Sequence, residues 1–182
     1  MRIIGGAWRG RRLTSVGKGD AAAHLRPTAD RVRESLFNVL AGHGAPQGMR
    51  VLDLFAGTGA LGLEALSRGA DGATFVENGR AALKILRQNI ALCDVEAQAR
   101  VVARDARRPG PGAPHDLVFL DPPYGKALGE AALTAALAGG WVAPGALIVW
   151  EESAVIRPPE GLRLLDDRRY GETVVRFLER VQ

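Results

Sequence analysis

Two stretches of this chain put chemistry-bearing residues at spacings that packing alone does not require. The first is DLVFLDPPYGK, residues 116–126, an apolar run that ends on Asp121, Pro122, Pro123 and Tyr124. A carboxylate and a proline carbonyl about one amide apart are two acceptors. The exocyclic amine of a nucleobase carries two hydrogens, and both need acceptors. Held that way, its nitrogen can be pyramidalised and presented in line to an electrophilic methyl carbon. Tyr124 offers a face on which the base can stack, worth ~1–3 kcal/mol. The prolines stiffen the loop, and proline adds no competing N–H. A paired base cannot enter such a slot, so the target has to be unpaired or flipped out.

The second stretch is GTGALG, Gly57 to Gly62, with Glu77 following 20 residues after Gly57. As a pattern this matches the dinucleotide fingerprint G-x-G-x-x-G. The residue that closes the preceding strand argues against a dinucleotide. Asp53 lies where a pyrophosphate would sit, and a carboxylate there repels phosphate while welcoming an ammonium or sulfonium group. S-adenosylmethionine carries both cations, a ribose and an adenine, and no phosphate. Gly57 and Gly59 let the backbone approach its methionine portion closely. Glu77 can accept both ribose hydroxyls. Asp105 can accept from the adenine amine, beside the backbone of Ala106.

These residues need a scaffold that gathers them. From Met49 onward, apolar strand-type runs alternate with helical patterns, and Val-, Leu- and Phe-rich strands between helices predict a parallel sheet covered on both faces. The strands expected are 49–55, 72–77, 99–105, 116–121 and 146–152, with a turn at Pro144-Gly145 before the fifth. Helices are expected after Gly59, over 80–92 and from Ala127 on. Residues 107–114, RRPGPGAP, are too rich in Pro and Gly for a helix, so that crossover reads as a loop. The segment 162–180 reads as an antiparallel pair turning near Gly171 and makes the sheet mixed. In such sheets ligands sit at the carboxyl ends of the strands. Asp53, Glu77, Asp105 and Asp121 end four successive strands, or nearly so, and right-handed crossovers put them on one edge.

Ahead of this body, residues 1–16 read as two short strands around glycines, a hairpin or loose ribbon, followed by a loop to residue 27. Residues 28–41 read as a leading helix with Thr28 as N-cap and Val32, Leu36, Val39 and Leu40 on one stripe. The organisation expected is therefore a basic N-terminal extension over 1–27 and a body over 28–182. The net charge is +4, and it is unevenly spread. Residues 1–33 hold eight basic side chains against two acids, so the remaining chain is slightly acidic. A basic arm on a near-neutral body suits a polyanionic partner. The single cysteine, Cys93, excludes an internal disulfide and reads as a packing residue. No run approaches a membrane helix, and residues 1–12 lack the apolar core of a signal peptide, so a cytoplasmic location is expected. The three histidines have no metal-ligand spacing, and no metal is expected.

The chain resembles the bacterial 16S rRNA guanine-N2 methyltransferase family of the RsmD type. The likeness runs over nearly the full length. It rests on MRIIGGAWRGRRL at the start, RPTADRVRESLFNVL at 26–40, VLDLFAGTGALGLEALSRGA at 51–70, FVE at 75–77 and FLDPPYGK at 119–126. The glycine loop and D-P-P-Y fix the reaction class, while the two N-terminal stretches are more specific to the family. The resemblance implies a Rossmann-like class I S-adenosylmethionine-dependent methyltransferase fold with a seven-stranded mixed sheet, and a monomer. It implies S-adenosylmethionine as donor and a guanine N2 of 16S rRNA as acceptor, in the assembled small ribosomal subunit or a late precursor. Carried over by position, Asp53, Phe55, Ala56, Gly57, Thr58 and Gly59 line the methionine end. Glu77 holds the ribose, and Asp105 with Ala106 the adenine. Asp121, Pro122, Pro123 and Tyr124 grip the guanine. Arg2, Arg9, Arg11 and Arg12 contact RNA from the ribbon, while Arg26, Thr28, Arg31 and Glu34 form the rim of the active site. The alternatives are a DNA adenine or cytosine amino-methyltransferase, short of length for sequence recognition, and a non-catalytic ribosome-assembly module, which would not need Asp53 and Asp121.

Overall fold

Apolar runs bounded by glycine and charge become strands because both of their faces find cover. The computed structural model describes residues 1–15, 30–123, 128–153 and 155–181. Its elements run α1 (Asp30–Gly42), β1 (Arg50–Leu54), α2 (Ala60–Ser67), β2 (Gly72–Val76), α3 (Arg80–Cys93), β3 (Ala99–Val102), β4 (His115–Leu120), α4 (Leu128–Ala138), β5 (Val142–Glu152), β6 (Leu162–Tyr170) and β7 (Thr173–Arg180). They build one seven-stranded sheet in the order β3-β2-β1-β4-β5-β7-β6. Strands β1 to β5 are parallel, and β7 pairs antiparallel with both β5 and β6. The chain leaves β1 in one direction towards β2 and β3, then returns to lay β4 on its other side. That reversal between β1 and β4 is the crevice where open α/β sheets bind ligands.

Side-chain alternation divides the core. Val51, Phe75, Leu117, Phe119 and Val149 face one way and pack with Leu36, Phe37 and Leu40 of α1, Leu63 and Leu66 of α2, and Leu86 and Ile90 of α3. Leu52, Val76, Val118, Leu120, Ile148 and Trp150 face the other way, against Ala132, Leu133 and Ala136 of α4 and against Trp141. The β3–β4 crossover is a loop, as its Pro and Gly content requires, and Trp141 Nε1 fastens it by donating to the Gly110 carbonyl at 2.7 Å.

Three expectations need correction. Strand β3 stops at Val102, not at residue 105, because the chain turns there: the Arg104 N–H donates to the Val102 carbonyl, and the Arg104 guanidinium to the Pro109 carbonyl. Strand β5 begins at Val142 and contains Pro144-Gly145 as an irregularity rather than following it. Its pairing with β4 jumps from His115–Val142 to Leu117–Leu147, so the extra residues bulge out with Gly145 at φ 76°. In α1 the buried stripe is Arg33, Leu36, Phe37 and Leu40, with Val32 and Val39 only half-buried. Arg33 is therefore not part of a surface charge array. It is 1% exposed, and its Nη2 donates to the Arg2 carbonyl at 2.6 Å and to Asp30 at 2.9 Å.

The basic N-terminal segment is a ribbon, closed by an antiparallel bridge between Arg2 and Arg12, and it is docked rather than free. Ile3 and Leu13 are buried in the three-helix core. Glu64 of α2, wholly buried, accepts the Ile4 and Gly5 N–H groups at 2.8 Å each and pairs with Arg68 at 2.8 Å. Ser67 accepts from the Trp8 N–H and donates to the Gly5 carbonyl. Asn89 of α3 holds Thr14 through both backbone groups. These polar side chains supply what a neighbouring strand otherwise would, which explains how a segment with a single bridge stays ordered.

Candidate active site

The residues singled out in the sequence converge on the carboxyl edge of β3, β2, β1 and β4. Asp53 sits one residue before the end of β1, Glu77 one beyond β2, and Asp121 one beyond β4. Asp53 pairs in register with Phe119. Asp121 is two residues further along the neighbouring strand, so strand spacing and rise put the two α-carbons about 8 Å apart. Alternation turns Asp53 to the three-helix face, and Asp121 continues the face of Phe119.

The glycine loop is fixed by the protein's own carboxylates. Asp53 Oδ2 accepts the Gly62 N–H in the first turn of α2 at 3.0 Å. Glu77 Oε2 accepts the Gly57 N–H at 2.8 Å, and its Oε1 accepts those of Asn78 and Gly79 at 2.9 and 2.7 Å. In a dinucleotide site those helix-terminal N–H groups would face pyrophosphate. Here carboxylates take them, and a phosphate would meet two negative side chains. Gly59 has φ 82°, which favours glycine, and a Cβ there would lie 2.5 Å from Leu86 Cδ1, so a side chain would also have to displace Leu86. Phe55 also lies in the left-handed region, at φ 61°. A bulky residue held there costs on the order of 1–2 kcal/mol; the strain sits at the bend where β1 gives way to the loop. Ala56, Gly57 and Gly59 are buried, and Thr58 is half-buried.

Electrostatics mark this edge as short of positive charge. Asp53 is 2% exposed. Burial, opposed by the Gly62 N–H and reinforced by Glu77, pushes its pKa up to about 7. Asp121 is held well above the usual carboxylate range by burial, then by the charges of Glu151, Asp53 and Glu152. Glu151 and Glu152 end β5, buried next to Asp121, and continue the row of acids. The sequence reading missed them, although ALIVWEE is the same signal of an apolar run ending on acid. Among the described residues no Lys or Arg is hydrogen-bonded or ion-paired to Asp53. A cationic ligand would relieve that imbalance.

The remaining predicted site residues fall as follows. Pro122 is buried and Pro123 half-buried beyond β4, while Tyr124 lies outside the described residues. Ala106 is buried, and Asp105 stands three residues past β3. Arg107 grips the Asp105 carboxylate with Nη2 at 2.6 Å and its backbone N–H at 2.9 Å, which lowers the Asp105 pKa. An adenine amine would share that acceptor with Arg107. Arg2, Arg9, Arg11 and Arg12 are exposed on the ribbon. Arg2 pairs with Asp30 at 3.3 Å, and Arg11 donates to the Leu92 carbonyl at the end of α3 at 3.0 Å. Arg31 and Glu34 are exposed on α1; Arg26 and Thr28 lie outside the described residues. Cys93 is 2% exposed and packed in the core, and burial pushes its thiol pKa up. Among the described residues no group of three or more His, Cys, Asp or Glu could hold a metal ion, and no helix is long and apolar enough to cross a membrane.

The family model described as conserved hypothetical protein 95 matches residues 1–179. The chain belongs to that family. Ribosomal RNA small subunit methyltransferase D of Escherichia coli strain K12 is 42% identical over 99% of this chain and 90% of that protein. Its namesake from Haemophilus influenzae is 38% identical over 94% and 89%. Among solved structures, the Escherichia coli protein yhhF superposes with a TM-score of 0.87 at 42% identity, covering 100% of this chain and 98% of that one. A Haemophilus influenzae chain follows at 0.80 and 32%, covering 100% and 98%. The family's fold here is the Rossmann-like α/β methyltransferase fold, with its antiparallel β7 beside β5.

Proposed function

We propose that this protein transfers a methyl group from S-adenosylmethionine to the exocyclic N2 of a flipped-out guanine in 16S rRNA of the small ribosomal subunit, acting as a monomer in the cytoplasm. The observation that carries the reading is the adjacency, at the β1–β4 reversal, of a cation-seeking loop site around Asp53 and a paired acceptor at Asp121–Pro122. The 42% identical Escherichia coli relative, named a small-subunit rRNA methyltransferase, supports the rRNA part. The donor set suits S-adenosylmethionine: buried carboxylates for its positive charge, a Glu77 that keeps an acceptor site on Oε2 for a ribose hydroxyl after taking three N–H groups, and, among the described residues of the loop, carboxylates where a phosphate would sit. When bound, S-adenosylmethionine supplies a methyl group activated by a sulfonium.

The chain's own part is orientation and proton handling. Asp121 and the Pro122 carbonyl accept the two amine hydrogens and point the nitrogen lone pair at the methyl carbon. As the N–C bond forms and the C–S bond breaks, the amine becomes cationic and acidic. Asp121, made more basic than an ordinary carboxylate by burial and by its acidic neighbours, takes the proton or passes it to water. Tyr124 stacks on the base, and Asp105 with Ala106 holds the adenine. The exposed ribbon arginines Arg9 and Arg12 contact phosphate, joined by Arg2, Arg11, Arg26 and Arg31, while Thr28 and Glu34 line the rim.

The test is to incubate the protein with labelled donor and unmethylated small subunits, free 16S rRNA or DNA, and to digest the product to nucleosides. N2-methylguanosine from the ribosomal RNA is expected. Label in DNA adenine or cytosine, or none in any substrate, would overturn the reading.

A further inference from the structure

Asn89 is wholly buried on α3, and both donors and the oxygen of its side-chain amide are bonded to backbone from two other places. Its Oδ1 accepts the Thr14 N–H at 2.7 Å. Its Nδ2 donates to the Thr14 carbonyl at 3.0 Å and to the Thr58 carbonyl at 2.9 Å. The orientation of the amide is dictated by its partners, since a flip would face its oxygen with two carbonyls and its nitrogen with an N–H. A side-chain amide presents the same edge as a peptide group, so Thr14 bonds Asn89 as it would a neighbouring strand. No other residue type of this length offers two donors and an acceptor in that arrangement. Thr14 belongs to the ribbon and Thr58 to the glycine loop, 44 positions apart in the chain. The ribbon touches the loop a second time, where Thr58 Oγ1 meets Met1 Sδ at 3.7 Å. One turn before Asn89, Leu86 closes on Gly59, so a single face of α3 is the platform for the loop.

We propose that Asn89 is a positioning residue that makes the docked ribbon part of the donor site, so that the loop takes its donor-binding form only while the ribbon is seated. The inference rests on the reading of the glycine loop as the S-adenosylmethionine site. Fixing the Thr58 carbonyl fixes the Thr58–Gly59 peptide plane, in the part of the loop that glycine brings close to the ligand. The ribbon arginines face solvent a few residues from Thr14. Binding of a polyanion to them and binding of donor to the loop therefore meet at one side chain, and whatever coupling arises acts equally in both directions.

The test measures S-adenosylmethionine affinity by calorimetry, without RNA and well below the melting temperature, for wild type, Asn89→Ala, Thr14→Pro and the double variant. Thr14→Pro removes one bond to Asn89 without touching the loop. Asn89→Ala should raise the dissociation constant at least about tenfold, with kcat at saturating donor within about threefold of wild type. Thr14→Pro should raise it measurably, and the double variant should bind no more weakly than Asn89→Ala alone. A lower melting temperature with unchanged affinity, or strictly additive losses, would reduce Asn89 to a structural staple. Wild-type protein gives an independent readout if the variants fail to fold: saturating donor should slow hydrogen exchange at the Thr14 amide, and an unchanged rate overturns the inference. A wild type that does not bind S-adenosylmethionine sinks the underlying reading as well. A wild type that binds, with variants equal to it, sinks this inference alone.

Discussion

Asp121→Ala is expected to slow methyl transfer by roughly a thousandfold or more while the dissociation constant for S-adenosylmethionine stays within about threefold of wild type. The reason is positional. Asp121 lies one residue beyond β4, on the strand beside β1 and outside the loop that would bind the donor, so its removal strips an acceptor from the base and leaves the carboxylates at Asp53 and Glu77 in place. Asp121→Asn should fall between the two, because the amide oxygen still accepts one hydrogen but cannot take the proton afterwards. Single-turnover rates with saturating donor and RNA, alongside calorimetric donor affinity, separate the two effects. Near-wild-type turnover in Asp121→Ala would remove the base-gripping role.

Asp53→Asn should do the reverse: weaken the donor by about ten- to a hundredfold and leave RNA affinity nearly unchanged. It should also stabilise the empty protein. A carboxyl whose folded pKa is raised to about 7 is neutral in the fold at pH values where the unfolded chain is already charged. Stability is therefore lost as pH climbs from the unfolded value of about 4 to the folded one, and the full penalty, on the order of a few kcal/mol, applies above pH 7. Asparagine keeps an oxygen for the Gly62 N–H and carries no charge. The variant should melt higher than wild type at pH 8, with the gain shrinking towards pH 4. For donor binding the sign is opposite: wild-type affinity should rise as pH passes 7 and Asp53 ionises, and that slope should flatten in Asp53→Asn. Thermal melts and calorimetry across this range measure both. A variant that melts lower at pH 8 would contradict the burial argument.

How much of this was legible beforehand follows from where each signal lives. Asp53, Glu77 and Asp121 could be read because strand and acid are contiguous in sequence, and the parallel topology does the gathering. Glu151 and Glu152 carry the same signal at the end of the fifth strand, the one strand of the parallel set from which no site residue is expected. Glu64, Ser67 and Asn89 could not be read that way. Each looks like an ordinary helix position, and its role appears only when backbone groups about 60 to 75 positions away, supplied by the ribbon, come to meet it. Arg33, one of the eight basic side chains of residues 1–33, is illegible in the sequence for a related reason. A basic residue beside a helix stripe usually reaches water, and here the docked ribbon covers it and accepts from it through the Arg2 carbonyl. The early end of β3 depended on a local turn at Val102 that competes with strand propensity and leaves Asp105 in the loop.

A structure of the protein with S-adenosylmethionine bound would test the central geometry most directly. The sulfonium is expected over the Gly57–Gly59 loop, with its methyl group directed at Asp121 and the Pro122 carbonyl and about 3–3.5 Å from where an amine nitrogen bonded to both would sit. A donor seated at the opposite edge of the sheet, or one whose methyl group points away from residues 121 and 122, would contradict it.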